Sequence, residues 1–137
     1  MLMVRRAVQR GFTLIELMIV IAIISILASI LVPNFLRARS QGQVTACRSN
    51  LKNLGVALEM YSIDYNARYP DDMAKLVPNY LRNLPTCPSA GVDTYSASYV
   101  VSVLPDAYTV FCLGSNHVAV GMGNNQPCYT SSSGLGP

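Results

Sequence analysis

The sequence predicts an α+β fold, a long N-terminal helix whose first half suits a membrane and whose second half packs on a small antiparallel β-sheet. Three observations predict it. Residues Phe12 to Pro33 form an apolar run with a single charge, Glu16. Val44, Cys47, Leu51, Leu54, Leu58, Tyr61 and Tyr65 then recur at alternating steps of three and four, an apolar stripe on a helix over 34–66. Further on, Tyr95, Ala97, Tyr99, Val101 and Val103 alternate with Ser96, Ser98 and Ser102, and Tyr108 to Cys112 resumes the alternation, so a hairpin follows.

The run from Phe12 to Pro33 rises about 33 Å as a helix, enough to cross a bilayer core. It is longer than the apolar region of a cleavable secretory signal. Glu16 is costly in lipid and calls for a cation partner. Cleavage after Gly11 would free an ammonium on Phe12, one helical turn from Glu16, and neighbouring copies could pair the two groups.

Charge is distributed to match. The chain of 137 residues is 51% hydrophobic and 12% charged, with a formal net charge of +3. Arg5, Arg6 and Arg10 supply that excess, because the remaining basic residues balance the acids. The basicity reads as a targeting signal rather than a general binding surface, and nucleic acid is a disfavoured partner.

The segment Arg10-Gly11-Phe12-Thr13-Leu14-Ile15-Glu16-Leu17 resembles the prepilin signal of type IV pilins and type II secretion pseudopilins. Pro33 sits where many members of that family carry a helix-kinking proline; Ser25 departs from the helix-loosening glycine of many type IV pilins. The resemblance implies a pilin-like fold with a cleaved leader over 1–11, a transmembrane and filament-core helix over 12–33, a head helix over 34–66, and loop, sheet and tail over 67–137. It implies a membrane prepilin peptidase that cuts after Gly11 and methylates Phe12, with Phe12, Glu16 and Pro33 serving assembly. It further implies a homo-oligomeric helical filament, an inner-membrane assembly platform with its ATPase, other minor pilins, and membrane lipid around the helix before assembly. The head would lie in the periplasm or outside the cell. The expected function is that of a structural subunit of a type IV pilus-like filament, with a type II secretion pseudopilin or a DNA-uptake pilin as alternatives. Tyr69-Pro70 through Leu84-Pro85 is similar to the variable loop of pseudopilins and small pilins.

Within the head, a short helix from Asp71 or Asp72 to Val77 is expected, capped by Asp72 and ended by Pro78. Leu104-Pro105-Asp106-Ala107 breaks the strands, His117 to Val120 adds a short third strand, and Gly121 to Pro137 reads as loop and tail. Cys47, Cys87, Cys112 and Cys128 point to two disulfides in a small exported head, each contributing roughly 2–4 kcal/mol if unstrained. Spacing leaves all three connectivities open; the path of the chain favours Cys47–Cys87 with Cys112–Cys128. His117, five residues after Cys112, fits no zinc spacing, and no CxxC pair exists, so it reads as a turn or hydrogen-bonding residue. No catalytic residue, metal or cofactor is expected. Asp71-Asp72 and Asn124-Asn125 form no EF-hand loop.

Overall fold

A computed structural model describes residues 11–103 and 106–136. The basic residues Arg5, Arg6 and Arg10 and the expected break at Leu104-Pro105 lie outside the described residues. One helix, α1, spans Leu14–Asp64. The chain divides into two compact units, one ending at Leu36 and the other beginning at Arg37.

In the first unit the helix is apolar on every side. Leu14 is 76% exposed, and even its most covered large apolar side chain, Val20, is 45% exposed. The helix is long and apolar enough to cross a membrane. Ser25 and Ser29 fold their hydroxyls back onto the Ile21 and Ile26 carbonyls at 2.7 Å, so neither presents a free polar group. The helix continues through Pro33, which offers no N–H to the Ser29 carbonyl.

The second unit is a helix covered by a sheet. Val44, Cys47, Leu51, Leu54, Leu58 and Tyr61 are buried, as the stripe requires, while Tyr65 is 52% exposed near the helix end. Asn66 and Ala67 leave the helix with positive φ. Four strands follow in the order β1 (Val100–Val103), β2 (Asp106–Phe111), β3 (Cys128–Thr130) and β4 (Gly134–Leu135), an antiparallel meander. Tyr108 and Val110 point from β2 into a core made with Leu51, Leu54, Leu58, Met73, Leu76 and Tyr95.

Asp72 caps a 3-10 helix over Met73–Leu76, its carboxylate accepting from the Ala74 N–H at 2.8 Å. Three expectations about the sheet are corrected. The first strand does not begin at Tyr95: the Asp93 carboxylate accepts from the N–H groups of Tyr95 and Ser96, and Ser96–Ser98 turns as a 3-10 helix. His117 to Val120 is no strand; Val118–Val120 forms another 3-10 helix that ends at Gly121 with φ +81°. The segment expected as loop and tail instead supplies β3 and β4.

Candidate functional site

Of the residues expected to serve assembly, Phe12 and Glu16 lie at the start of α1 and Pro33 lies in its interior. Phe12 is 82% exposed. Thr13 and Glu16 satisfy each other's backbone: the Thr13 N–H donates to Glu16 Oε2 at 2.9 Å, and the Glu16 N–H donates to Thr13 Oγ1 at 3.3 Å. The Thr13 hydroxyl also donates to Glu16 Oε2 at 2.8 Å. This reciprocal arrangement is a capping box, and Thr13-Leu14-Ile15-Glu16 carries its sequence pattern. Sequence reasoning weighed the charge of Glu16 and missed this second task. The carboxylate ends the helix locally and still has capacity for a cation.

The head holds a separate cluster. Cys47 comes from the first buried stretch of α1 in this unit, Cys87 from the loop after the Met73–Leu76 turn, Cys112 from the residue after β2, and His117 from the turn before Val118. All four are buried, and their sulfur and ring nitrogen atoms lie within 4.8 Å of one another. The Cys87 and Cys112 sulfurs are 3.5 Å apart, and His117 Nε2 lies 3.5 Å from Cys112 Sγ and 3.7 Å from Cys87 Sγ.

Donors surround the sulfurs. The Tyr95 hydroxyl donates to Cys47 Sγ at 3.2 Å and is itself approached by Asn50 Nδ2 at 3.4 Å. Asn116 Nδ2 donates to Cys112 Sγ at 3.6 Å, and Thr94 Oγ1 lies 3.4 Å from the same sulfur. Cys87 opens a turn closed by the Gly91 N–H on the Cys87 carbonyl at 2.7 Å.

His117, expected as a turn or hydrogen-bonding residue, stands in a turn, is 3% exposed and lies within hydrogen-bonding distance of two sulfurs. Its spacing from Cys112 fits no familiar zinc pattern because the four side chains arrive from four separate parts of the chain. The favoured Cys112–Cys128 pairing does not fit. Cys128 stands opposite Phe111 in the β2–β3 register, and successive residues alternate faces, so Cys128 and Cys112 leave opposite faces of the sheet. Cys47 and Cys87 do meet, in company with a third thiol; all four cysteines are free.

Comparison with known proteins gives concordant results. Residues 6–32 match the family described as the prokaryotic N-terminal methylation motif. The type IV wide pilus major component PilA4 of Thermus thermophilus is 36% identical over 108 residues, covering 79% of this chain and 73% of that protein. The type II secretion system core protein G of Escherichia coli is 33% identical over 117 residues, covering 85% of this chain and 75% of that protein. Core protein G of Pseudomonas aeruginosa is 42% identical over 66 residues, a match that spans only 46% of that protein. No solved structure matches the chain.

Proposed function

This chain belongs to the family of type IV pilins and type II secretion pseudopilins, and we propose that it is a structural filament subunit that waits in the bacterial inner membrane and polymerises through the first half of α1. The observation that carries this reading is the exposure of that segment. From Leu14 to Leu36 its large apolar side chains are uncovered around the whole helix. A helix apolar on every side must be buried in lipid or among other helices. Lipid covers it before assembly; the helices of neighbouring copies cover it afterwards.

Processing completes the site. A prepilin peptidase removes residues 1–11 and methylates Phe12, leaving an ammonium at the start of the helix. Glu16 of a neighbouring copy pairs with that ammonium and sets the register between protomers. Pro33, which removes one hydrogen bond from the ladder, gives the helix its freedom to bend in the filament. The head then lies outside the cytoplasm, and an assembly platform with its ATPase and other minor pilins are the partners.

The relatives named above support two systems, a surface pilus and a secretion pseudopilus. The family match supports a non-enzymatic role for either. N-terminal mass spectrometry of the membrane-extracted chain tests the reading: the mature protein begins at methylated Phe12, and a chain still carrying Met1 refutes it. Deletion separates the systems, since loss of surface filaments marks the pilus and accumulation of an undelivered secreted protein marks the pseudopilus. A DNA-uptake role would require salt-dependent DNA binding by the exposed Arg48 and Lys52.

A further inference from the structure

We infer that Cys47, Cys87, Cys112 and His117 form a closed structural zinc site that staples the head. A tetrahedral zinc centre, with Zn–S of about 2.3 Å and Zn–N of about 2.0–2.1 Å, sets ligand-to-ligand edges of roughly 3.5–3.8 Å. The three separations among Cys87 Sγ, Cys112 Sγ and His117 Nε2 are 3.5, 3.5 and 3.7 Å. Cys47 Sγ completes the set within 4.8 Å of the others. Three soft sulfurs and one imidazole are a ligand set for zinc rather than for calcium or magnesium.

The surroundings supply what such a centre needs. Three thiolates around a dication leave one net negative charge, with neutral His117 as the fourth ligand. Tyr95 Oη and Asn116 Nδ2 donate to sulfur. Outer donors of this kind orient ligands and spread their charge. With four protein ligands no position remains for substrate, so the site is structural.

A disulfide is the competing use of these thiols. It would consume two of the three sulfurs and strand the third beside His117. Cys128 cannot accept the leftover thiol, because it leaves the other face of the sheet from Cys112. A metal uses all four side chains at once. It would join the head helix, the loop around Cys87, the end of β2 and the turn at His117 in one linkage, which suits a small head with a modest core.

The test uses the full chain, extracted in detergent, with one portion alkylated at lysis to trap its thiols in their cellular state and the other left unalkylated for metal analysis and labelling. Zinc is expected at one ion per chain. A thiol reagent then labels Cys128, while Cys47, Cys87 and Cys112 react only after a chelator is added. Exchange of zinc for cobalt gives the absorption bands of a tetrahedral thiolate centre. Cys128→Ser keeps the full metal content and His117→Ala loses it. His117→Cys retains the ion because it restores a fourth ligand, which keeps the test decisive if the alanine variant fails to fold. Tyr95→Phe lowers zinc affinity roughly 10–100-fold. A disulfide between any two of Cys47, Cys87 and Cys112 in the trapped chain overturns the inference. So does a reduced, folded chain that takes up no added zinc chloride.

Discussion

The ring of Tyr129 lies against Gly55, so close that a Cβ at Gly55 would stand 2.5 Å from Tyr129 Cε1. Tyr129 is on β3, paired with Val110, and its ring stacks on Tyr108 with centroids 6.3 Å apart. The glycine lets the sheet approach α1 where any side chain would hold it off.

That contact reverses the usual sign of a helix substitution. Alanine in place of an interior glycine gains about 1 kcal/mol of helix stability. At Gly55 the gain is opposed by overpacking, which costs about 1–3 kcal/mol, so Gly55→Ala is expected to lower stability by about 1 kcal/mol. Gly42 has nothing within 4 Å of the position a Cβ would take, and Gly42→Ala is expected to raise stability by about 1 kcal/mol. Thermal unfolding of the detergent-solubilised chain compares the two. Equal stabilisation by both would mean that the Tyr129 ring swings aside freely.

Glu59 anchors the same face of the sheet. The hydroxyls of Tyr69 and Tyr108 both donate to its carboxylate at 3.2 Å, and the two rings meet edge to face. Burial, and then the Glu59 charge, push the Tyr69 pKa up. Glu59→Ala strips an acceptor from Tyr108, which is 2% exposed and keeps only a long 3.4 Å bond to the Gly55 carbonyl. A loss of about 1–3 kcal/mol is expected. Glu59→Gln keeps an acceptor and loses less. Equilibrium unfolding in denaturant reads the difference, and equal losses would show that the acceptor does not matter.

Tyr80 gives the head an alkaline weakness. Its hydroxyl donates to Asp64 Oδ2 at 2.6 Å, and that hydrogen bond is the largest cause pushing its pKa up to about 12. The ordinary tyrosine value is about 10. A raised folded pKa favours the protonated state, so the contribution is complete below pH about 10 and fades as pH rises to about 12. Tyr80→Phe lacks the contribution at neutral pH. The stability gap between wild type and variant should therefore narrow through that window, as melting curves at stepped pH would show. The absence of a gap at any pH would place the contribution of Tyr80 in ring packing against Tyr61, which phenylalanine keeps.

How far the sequence reveals these features depends on how local they are. The apolar run from Phe12 and the stripe through Leu51, Leu54 and Leu58 depend on spacing within one helix, and both hold. Asp72 as a cap depends on neighbours two residues away, and it holds too. The sheet is less legible. Ser98 reads as the outward residue of a strand, yet it is buried, its hydroxyl set between the Tyr95 carbonyl three residues back and the Phe111 carbonyl at the end of β2. Cys128–Thr130 is a three-residue strand among turn formers, too short for a period. The thiol–imidazole cluster is illegible for another reason: its members are 70 residues apart at the extremes, between Cys47 and His117, and only tertiary packing brings them together. Glu59 lies off the apolar stripe, and nothing in its neighbours announces two tyrosine partners.

Glu16 carries two tasks that a pair of substitutions can separate. Its carboxylate closes the capping box with Thr13, and in the proposed filament it meets the ammonium of a neighbouring Phe12. Glutamine also closes a capping box but carries no charge. Glu16→Gln should therefore leave the start of the helix intact and abolish filaments, with the chain still accumulating in the membrane. Thr13→Ala removes the cap, at a cost of about 0.5–2 kcal/mol to the helix end, and keeps the charge, so filaments should persist. Electron microscopy of shed filaments, with membrane fractionation as the control for expression, reads both variants. Filaments from Glu16→Gln would assign the residue to capping alone and remove the charge pair from the assembly mechanism.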